Sequence, residues 1–125
     1  MDLKNIENLI QETLELIAVD AKSLVDARNR AARFLVIQSI LATFLKNFEE
    51  EKAKVKTLET ATFAKAIQVA DGKNITEKKI QADQNPEYTL ARESLERLDG
   101  IREYIKTHIR IFENAHLFFR QLGKE

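Results

Sequence analysis

The sequence predicts an all-α protein: a long antiparallel helical hairpin with an additional N-terminal helix, packed in the manner of a coiled coil. Three observations carry that expectation. Apolar residues recur at alternating steps of three and four, the period of an amphipathic helix. The 125 residues include only three glycines and one proline, with none of these between residues 1 and 71, so the chain has few places to turn. A composition of 44% hydrophobic and 32% charged residues is too apolar for a disordered chain and too polar for a membrane bundle. At this length one domain, residues 1–125, is expected.

The first helix, about 3–24, carries Leu3, Ile6, Leu9, Ile10, Leu14, Ile17 and Ala21 on one face. Asp2 is placed to cap it by accepting from the unpaired amides of the first turn. The second, about 27–70, repeats Phe34, Ile37, Leu41, Phe44, Phe48, Val55, Leu58 and Thr62, with Glu51 filling one otherwise apolar slot. It would be roughly 65 Å long at 1.5 Å per residue, a length that implies a coiled-coil arrangement. Asp71-Gly72-Lys73-Asn74 breaks the pattern. Thr76 is read as the cap of a short helix, 77–82, and Asn85 and Pro86 open the last helix, 86–122.

That last helix has the clearest repeat. Tyr88, Ala91, Leu95, Leu98, Ile105, Ile109, Phe112 and Phe119 follow the 3–4 spacing, with Arg102 and His116 in the remaining slots. A second line adds Ile101, Tyr104, Ile111, Ala115, Phe118 and Leu122, which makes the apolar face wider than one partner helix covers. Gly100 interrupts the helix without shifting its register, and Gly123 is read as the C-cap. Part of this broad face is expected to be buried against a copy of the same chain. The residues assigned to such a homo-oligomer interface are Phe34, Phe44, Ile105, Ile109, Phe112 and Phe119.

The formal net charge is zero, which excludes a strongly basic polyanion binder, but the charges are unevenly spread. Residues 1–25 carry five acids and two bases, residues 26–85 eleven bases and eight acids, and residues 86–125 seven of each. No run approaches the roughly 18 apolar residues of a spanning helix. The N-terminus lacks a basic region followed by an apolar one, so a cytoplasmic location is expected, in a host cell if the chain is phage-encoded.

No arrangement of residues points to catalysis, and no cofactor is expected. The chain has no cysteine, so disulfides, thiolate catalysis and thiolate-bound zinc are excluded. His108 and His116 lie eight apart on one helix, with neither Glu103 nor Glu113 at a ligand spacing to both; packing is the expected role. Glu49, Glu50 and Glu51 diverge by 100° each and suit a solvated face, with Glu50–Lys54 and Glu49–Lys46 pairs. The remaining candidate is a basic strip of Lys52, Lys54, Lys56, Lys65, Lys73, Lys78, Lys79 and Arg92, a potential site for backbone phosphates. Only Phe63 and Tyr88 are near enough to stack on bases. A second cluster, Arg28, Arg30 and Arg33, can be neutralised by Glu7, Glu12, Glu15 and Asp20 if the acidic first helix folds back, or the unlike-charged patches can meet between subunits.

From about Glu49 to Leu122, roughly three-fifths of the chain, the order of parts resembles the UvsY-like recombination mediators of tailed phages. A lysine-rich helix leads into a polar break containing Gly72. Thr76-Glu77-Lys78-Lys79-Ile80-Gln81-Ala82 follows, then Tyr88 opens a long helix with a phenylalanine- and leucine-rich end. The resemblance implies a small, non-enzymatic, oligomeric helical protein that binds single-stranded DNA and assists loading of a recombinase. It would place DNA contacts on Lys52, Lys54, Lys56 and Lys65, and oligomer contacts on Ile105, Ile109, Phe112 and Phe119. The sequence departs from that expectation electrostatically, since three glutamates directly precede the lysines. The rival expectations are a non-enzymatic protein-binding module, such as an inhibitor of a host system, and a structural phage component.

Overall fold

The structure is a computed structural model that describes residues 2–124, and all its secondary structure within that range is helical. α1 spans Leu3–Ala18, α2 Leu24–Gln68, α3 Ile75–Asp83 and α4 Pro86–Leu122. Within each of the chain's two compact units, the α2 and α4 segments pack side by side and antiparallel, in a helical hairpin arrangement with α3 between them in the chain. No helix among the described residues is long and apolar enough to cross a membrane. The chain divides into two compact units, Met1–Lys46 with Glu103–Glu125, and Asn47–Arg102. Each is built from part of α2, part of α4 and one shorter helix.

In the first unit α1 packs beside the start of α2 and the end of α4. Ile6, Ile10, Phe34, Leu41, Ile105 and Phe112 are fully buried, with Phe119 almost so. The rings of Phe112 and Phe119 stack against Phe34 at centroid separations of 6.1 and 5.4 Å. Aromatic pairs at such distances add about 0.5–1.5 kcal/mol beyond their area burial. Thr13, also buried, turns its hydroxyl inward to donate to the Leu9 carbonyl at 2.7 Å, so its polarity is satisfied within α1.

Asp2 caps α1 as expected, accepting from the Asn5 amide at 2.8 Å. The other end differs: α1 stops at Ala18, six residues before the boundary the sequence suggests, because Val19 turns extended. Arg30, nearly buried, compensates for the lost helical bonds. Its guanidinium donates to the carbonyls of Leu16 (2.9 Å), Val19 and Asp20 (3.2 Å), pairs with Asp26 at 3.1 Å, and lies 5.4 Å from the Phe119 ring centroid. Arg30 therefore meets three backbone oxygens and the Asp26 carboxylate of α2 and, among the described residues, none of the carboxylates of the first helix that the sequence offered as partners.

Ser23 begins α2. Its hydroxyl accepts from the Asp26 amide at 3.0 Å, and the Asp26 carboxylate accepts from the Lys22 amide at 2.8 Å. α3 starts with the same reciprocal device. Asn74, rather than Thr76, accepts from the Glu77 amide, while Glu77 accepts from the Lys73 amide. Asn74 also matches the observed start of α3 at Ile75. Asn85 accepts from the amides of Glu87 and Tyr88, with Pro86 in the first helical position.

The second unit has a different interior. Its buried or half-buried line on α2 continues from Phe48 through Lys52, Val55, Glu59, Thr62 and Ala66. The step after Phe48 is four, so the two polar slots are Lys52 and Glu59, in place of the expected Glu51 and Leu58. Leu58 is 61% exposed, whereas the Glu59 side chain is only 13% exposed. On the other side of this unit Tyr88 and Ala91 are buried, and the Tyr88 and Phe63 rings meet at 4.8 Å.

The three glycines have different surroundings. An added Cβ at Gly72 would lie 2.6 Å from the Lys78 amide nitrogen and 2.7 Å from Glu77 Cβ, so only glycine allows the chain to pass the start of α3. At Gly123 it would meet Arg28 Cγ at 2.7 Å, while the Gly123 carbonyl accepts from Arg28 Nε at 2.9 Å. Gly100 has open space around it.

Candidate interaction surfaces

The eight basic residues predicted to hold phosphates lie in the second unit but do not form one continuous cationic face. Lys52, half-buried against α4, pairs with Asp99. Lys54 pairs with Glu51 at 3.1 Å, and Lys56 with Glu59 at 3.0 Å. Glu49, a further acid among these lysines, pairs with Arg102. The expected Glu50–Lys54 and Glu49–Lys46 pairs are replaced by Glu51–Lys54 and Glu49–Arg102, since the carboxylates take whichever cation their helix face presents. Arg92 spreads over the Tyr88 ring, 5.6 Å from its centroid. Lys65, Lys73 and Lys79 are exposed and, among the described residues, have no carboxylate at ion-pair distance; Lys78 is half-buried.

Electrostatics decide what this surface can do. The unit Asn47–Arg102 carries ten basic and eleven acidic residues. A phosphate brought to Lys54 or Lys56 also meets Glu51 or Glu59, the carboxylate already beside each lysine, well inside the roughly 10 Å over which salt at 0.1 M screens charge. Exposed pairs of this kind are themselves weak, about 0–1 kcal/mol, so it is the surrounding negative charge more than the pairing that opposes a polyanion. A shallow groove of about 300 Å³ in the same unit, lined by Thr62, Lys65, Ala66, Val69, Asn85, Pro86 and Glu87, offers one cation and one anion and no converging set of polar groups.

The histidines serve packing. His116 Nδ1 lies 2.7 Å from the Ala31 carbonyl and His108 Nδ1 2.8 Å from the Tyr104 carbonyl. A carbonyl only accepts, so in each ring Nδ1 carries the proton and donates. The His108 ring sits 4.4 Å from Tyr104 and 6.2 Å from Phe112. Among the described residues no three histidine, aspartate or glutamate side chains converge to hold a metal ion.

The residues assigned to an oligomer interface fall mostly inside the first unit. Phe34, Ile105, Phe112 and Phe119 are buried within a single chain, and Phe44 and Ile109 are half-buried. What α2 turns to solvent is another set. Leu35 is 54% exposed and Val36 57%, and Ser39, Ala42 and Thr43 are exposed beside them. From Phe34 to Leu45 no residue is charged, so three turns of a surface helix face water without a charged side chain. Leu117 and Phe118 are also exposed, on α4 of the same unit. The signal for the α2 face was present in the sequence as the uncharged run from Phe34 to Leu45, but the periodicity drew only on Phe34, Ile37, Leu41 and Phe44 and gave Leu35 and Val36 no place.

No family model, curated protein or solved structure matches this chain. The resemblance to UvsY-like mediators accordingly extends to a small all-helical protein and supports no specific family.

Proposed function

We propose that this chain is a non-enzymatic helical module that works by binding proteins through uncharged helix faces. The observation that carries the reading is the outward side of α2, where Leu35, Val36, Ser39, Ala42 and Thr43 form a continuous uncharged surface. Singly scattered exposed leucines or valines need no explanation, but a contiguous stripe of this kind marks a contact surface. The near-balanced charge of the second unit supports the same reading, because it removes the long-range attraction on which phosphate binding depends.

A photocrosslinking residue placed at Val36 tests this in cells, with Thr107 on α4 as the control position. The expected result is protein adducts at Val36 that disappear when Leu35 is replaced by glutamate. Adducts no more frequent than at Thr107, or adducts to nucleic acid, would overturn the proposal.

A second reading, single-stranded DNA binding with assistance to a recombinase, is favoured by one observation. Lys65, Lys73 and Lys79 are exposed without acidic partners among the described residues, in the unit that also holds Phe63, Tyr88 and Arg92 as a stacked group. A fluorescent oligothymidine titrated at 50 and 200 mM salt separates the two. Affinity that falls steeply with salt, and is lost in Lys65→Glu with Lys79→Glu, would establish the second reading over the first.

A further inference from the structure

We infer that the α2 face from Leu35 to Thr43 binds a second copy of this chain, the two helices packing antiparallel about a two-fold axis at Ser39. The inference rests on the reading above, that this uncharged face is a contact surface, and it names the occupant. The five exposed positions follow i, i+1, i+4, i+7 and i+8, which keeps them on one side of the helix. An antiparallel copy centred on Ser39 sets Leu35 against Thr43, Val36 against Ala42, and Ser39 against itself. Every branched aliphatic side chain then meets a smaller partner, and the same surface serves both copies, as a two-fold interface requires. A parallel copy in register would place Leu35 on Leu35 and Val36 on Val36, leaving the small residues facing one another across a gap.

The flanks agree. One turn further out the same pairing puts Ala32 opposite Lys46, whose methylene stem can cover the alanine while its ammonium stays in water. No charge is buried anywhere between them. A nucleic acid has no cation to meet on this face, and a charged partner would be desolvated without compensation. The stripe with its flanks offers on the order of 500 Å² per copy, so two copies bury about 1,000 Å², the lower bound for a specific interface. An interface of that size, with no charged or aromatic anchor at its centre, belongs with weak, reversible association.

The absence of cysteine makes the geometry directly testable, since Ser39→Cys introduces a single thiol at the axis. In sedimentation velocity the full chain is expected to be dimeric at about 100 μM and to dissociate on dilution towards about 1 μM, as a weak, reversible contact does. Under mild oxidant Ser39→Cys should form a disulfide dimer about tenfold faster than Thr107→Cys, because only the former brings two thiols within bonding distance. Leu35→Glu with Val36→Glu should be monomeric at 100 μM with the helical circular dichroism of the parent. A monomer at 100 μM, equal oxidation rates at the two positions, or a dimer that survives the glutamates would each overturn the inference. A monomeric chain whose Val36 crosslinks to a different protein refutes the self-association alone, whereas failure of both experiments removes the protein-binding reading as well.

Discussion

Replacing Arg30 with methionine is the most informative test of how α1 is held. The methionine keeps most of the apolar stem but removes every donor, so the carbonyls of Leu16, Val19 and Asp20 lose a charged partner. Hydrogen bonds to a charged group contribute about 1.5–3 kcal/mol when well shielded. Val19 and Asp20 are exposed, so water replaces part of that loss, and about 1 kcal/mol per bond is the appropriate scale. Loss of the guanidinium over Phe119 adds about 0.5–1 kcal/mol, and loss of the pair with the part-exposed Asp26 adds little beyond that. The expected destabilisation is therefore about 3–4 kcal/mol. For a chain of 125 residues unfolding together, an unfolding entropy of about 0.26 kcal/mol per kelvin converts this to a fall in Tm of about 12–15 °C. Thermal melting followed at 222 nm measures it. Arg30→Lys should lie between, because an ammonium supplies charge without a fork that spans three carbonyls. A Tm within 3 °C of the parent for Arg30→Met would refute the claim that this side chain ends α1.

Other perturbations have opposite expected signs. Hydrogen bonding from the Lys22 amide, reinforced by Arg30, holds the Asp26 carboxyl below the ordinary value of 3.8 despite some opposing burial. The stability it contributes is thus full above that ordinary value and is lost as pH falls through the depressed one; acid titration of Asp26→Asn should show a flatter decline below about pH 4 than the parent. Gly100→Ala, with open space for the methyl group in mid-helix, should raise stability by about 0.5–1 kcal/mol in urea denaturation. Gly123→Ala should lower it by about 1 kcal/mol, since Arg28 must move and release the Gly123 carbonyl. Phe112→Ala should cost about 3–5 kcal/mol and exposed Phe118→Ala under 1 kcal/mol, the contrast separating core from surface on one helix.

Much of the architecture was legible because apolar spacing is a local property. α4 was read in register across Gly100, and Asp2, Asn85 and Pro86 marked helix starts by their own chemistry. The end of α1 was not legible, because no residue between Ala18 and Leu24 is a helix breaker; the signal that ends it is Arg30, which becomes a partner only after folding. The seam past Phe48 went astray for a related reason. Leu58 is the more hydrophobic residue, but the continuing 3–4 spacing carries Glu59 inward and leaves Leu58 in water. For the candidate sites, counting lysines located a basic segment without the carboxylates that α4 brings to it, as Asp99 shows. The uncharged face of α2 was hidden in the opposite way. The 3–4 spacing picked out Phe34, Ile37, Leu41 and Phe44, which do turn inward, and carried no information on whether the uncharged residues between them meet water or a partner.

The charges crossing from α2 to α4 in the second unit have a consequence for how the helices align. Glu49 faces Arg102 and Lys52 faces Asp99, so the order of signs reverses along each helix within a single turn. Sliding one helix past the other by a turn in one direction would set Lys52 beside Arg102; sliding it the other way would set Glu49 beside Asp99. Both slips replace attraction by repulsion, and both would also part the rings of Phe63 and Tyr88. Two modest ion pairs thereby work as a vernier, penalising neighbouring alignments on top of what the apolar packing does.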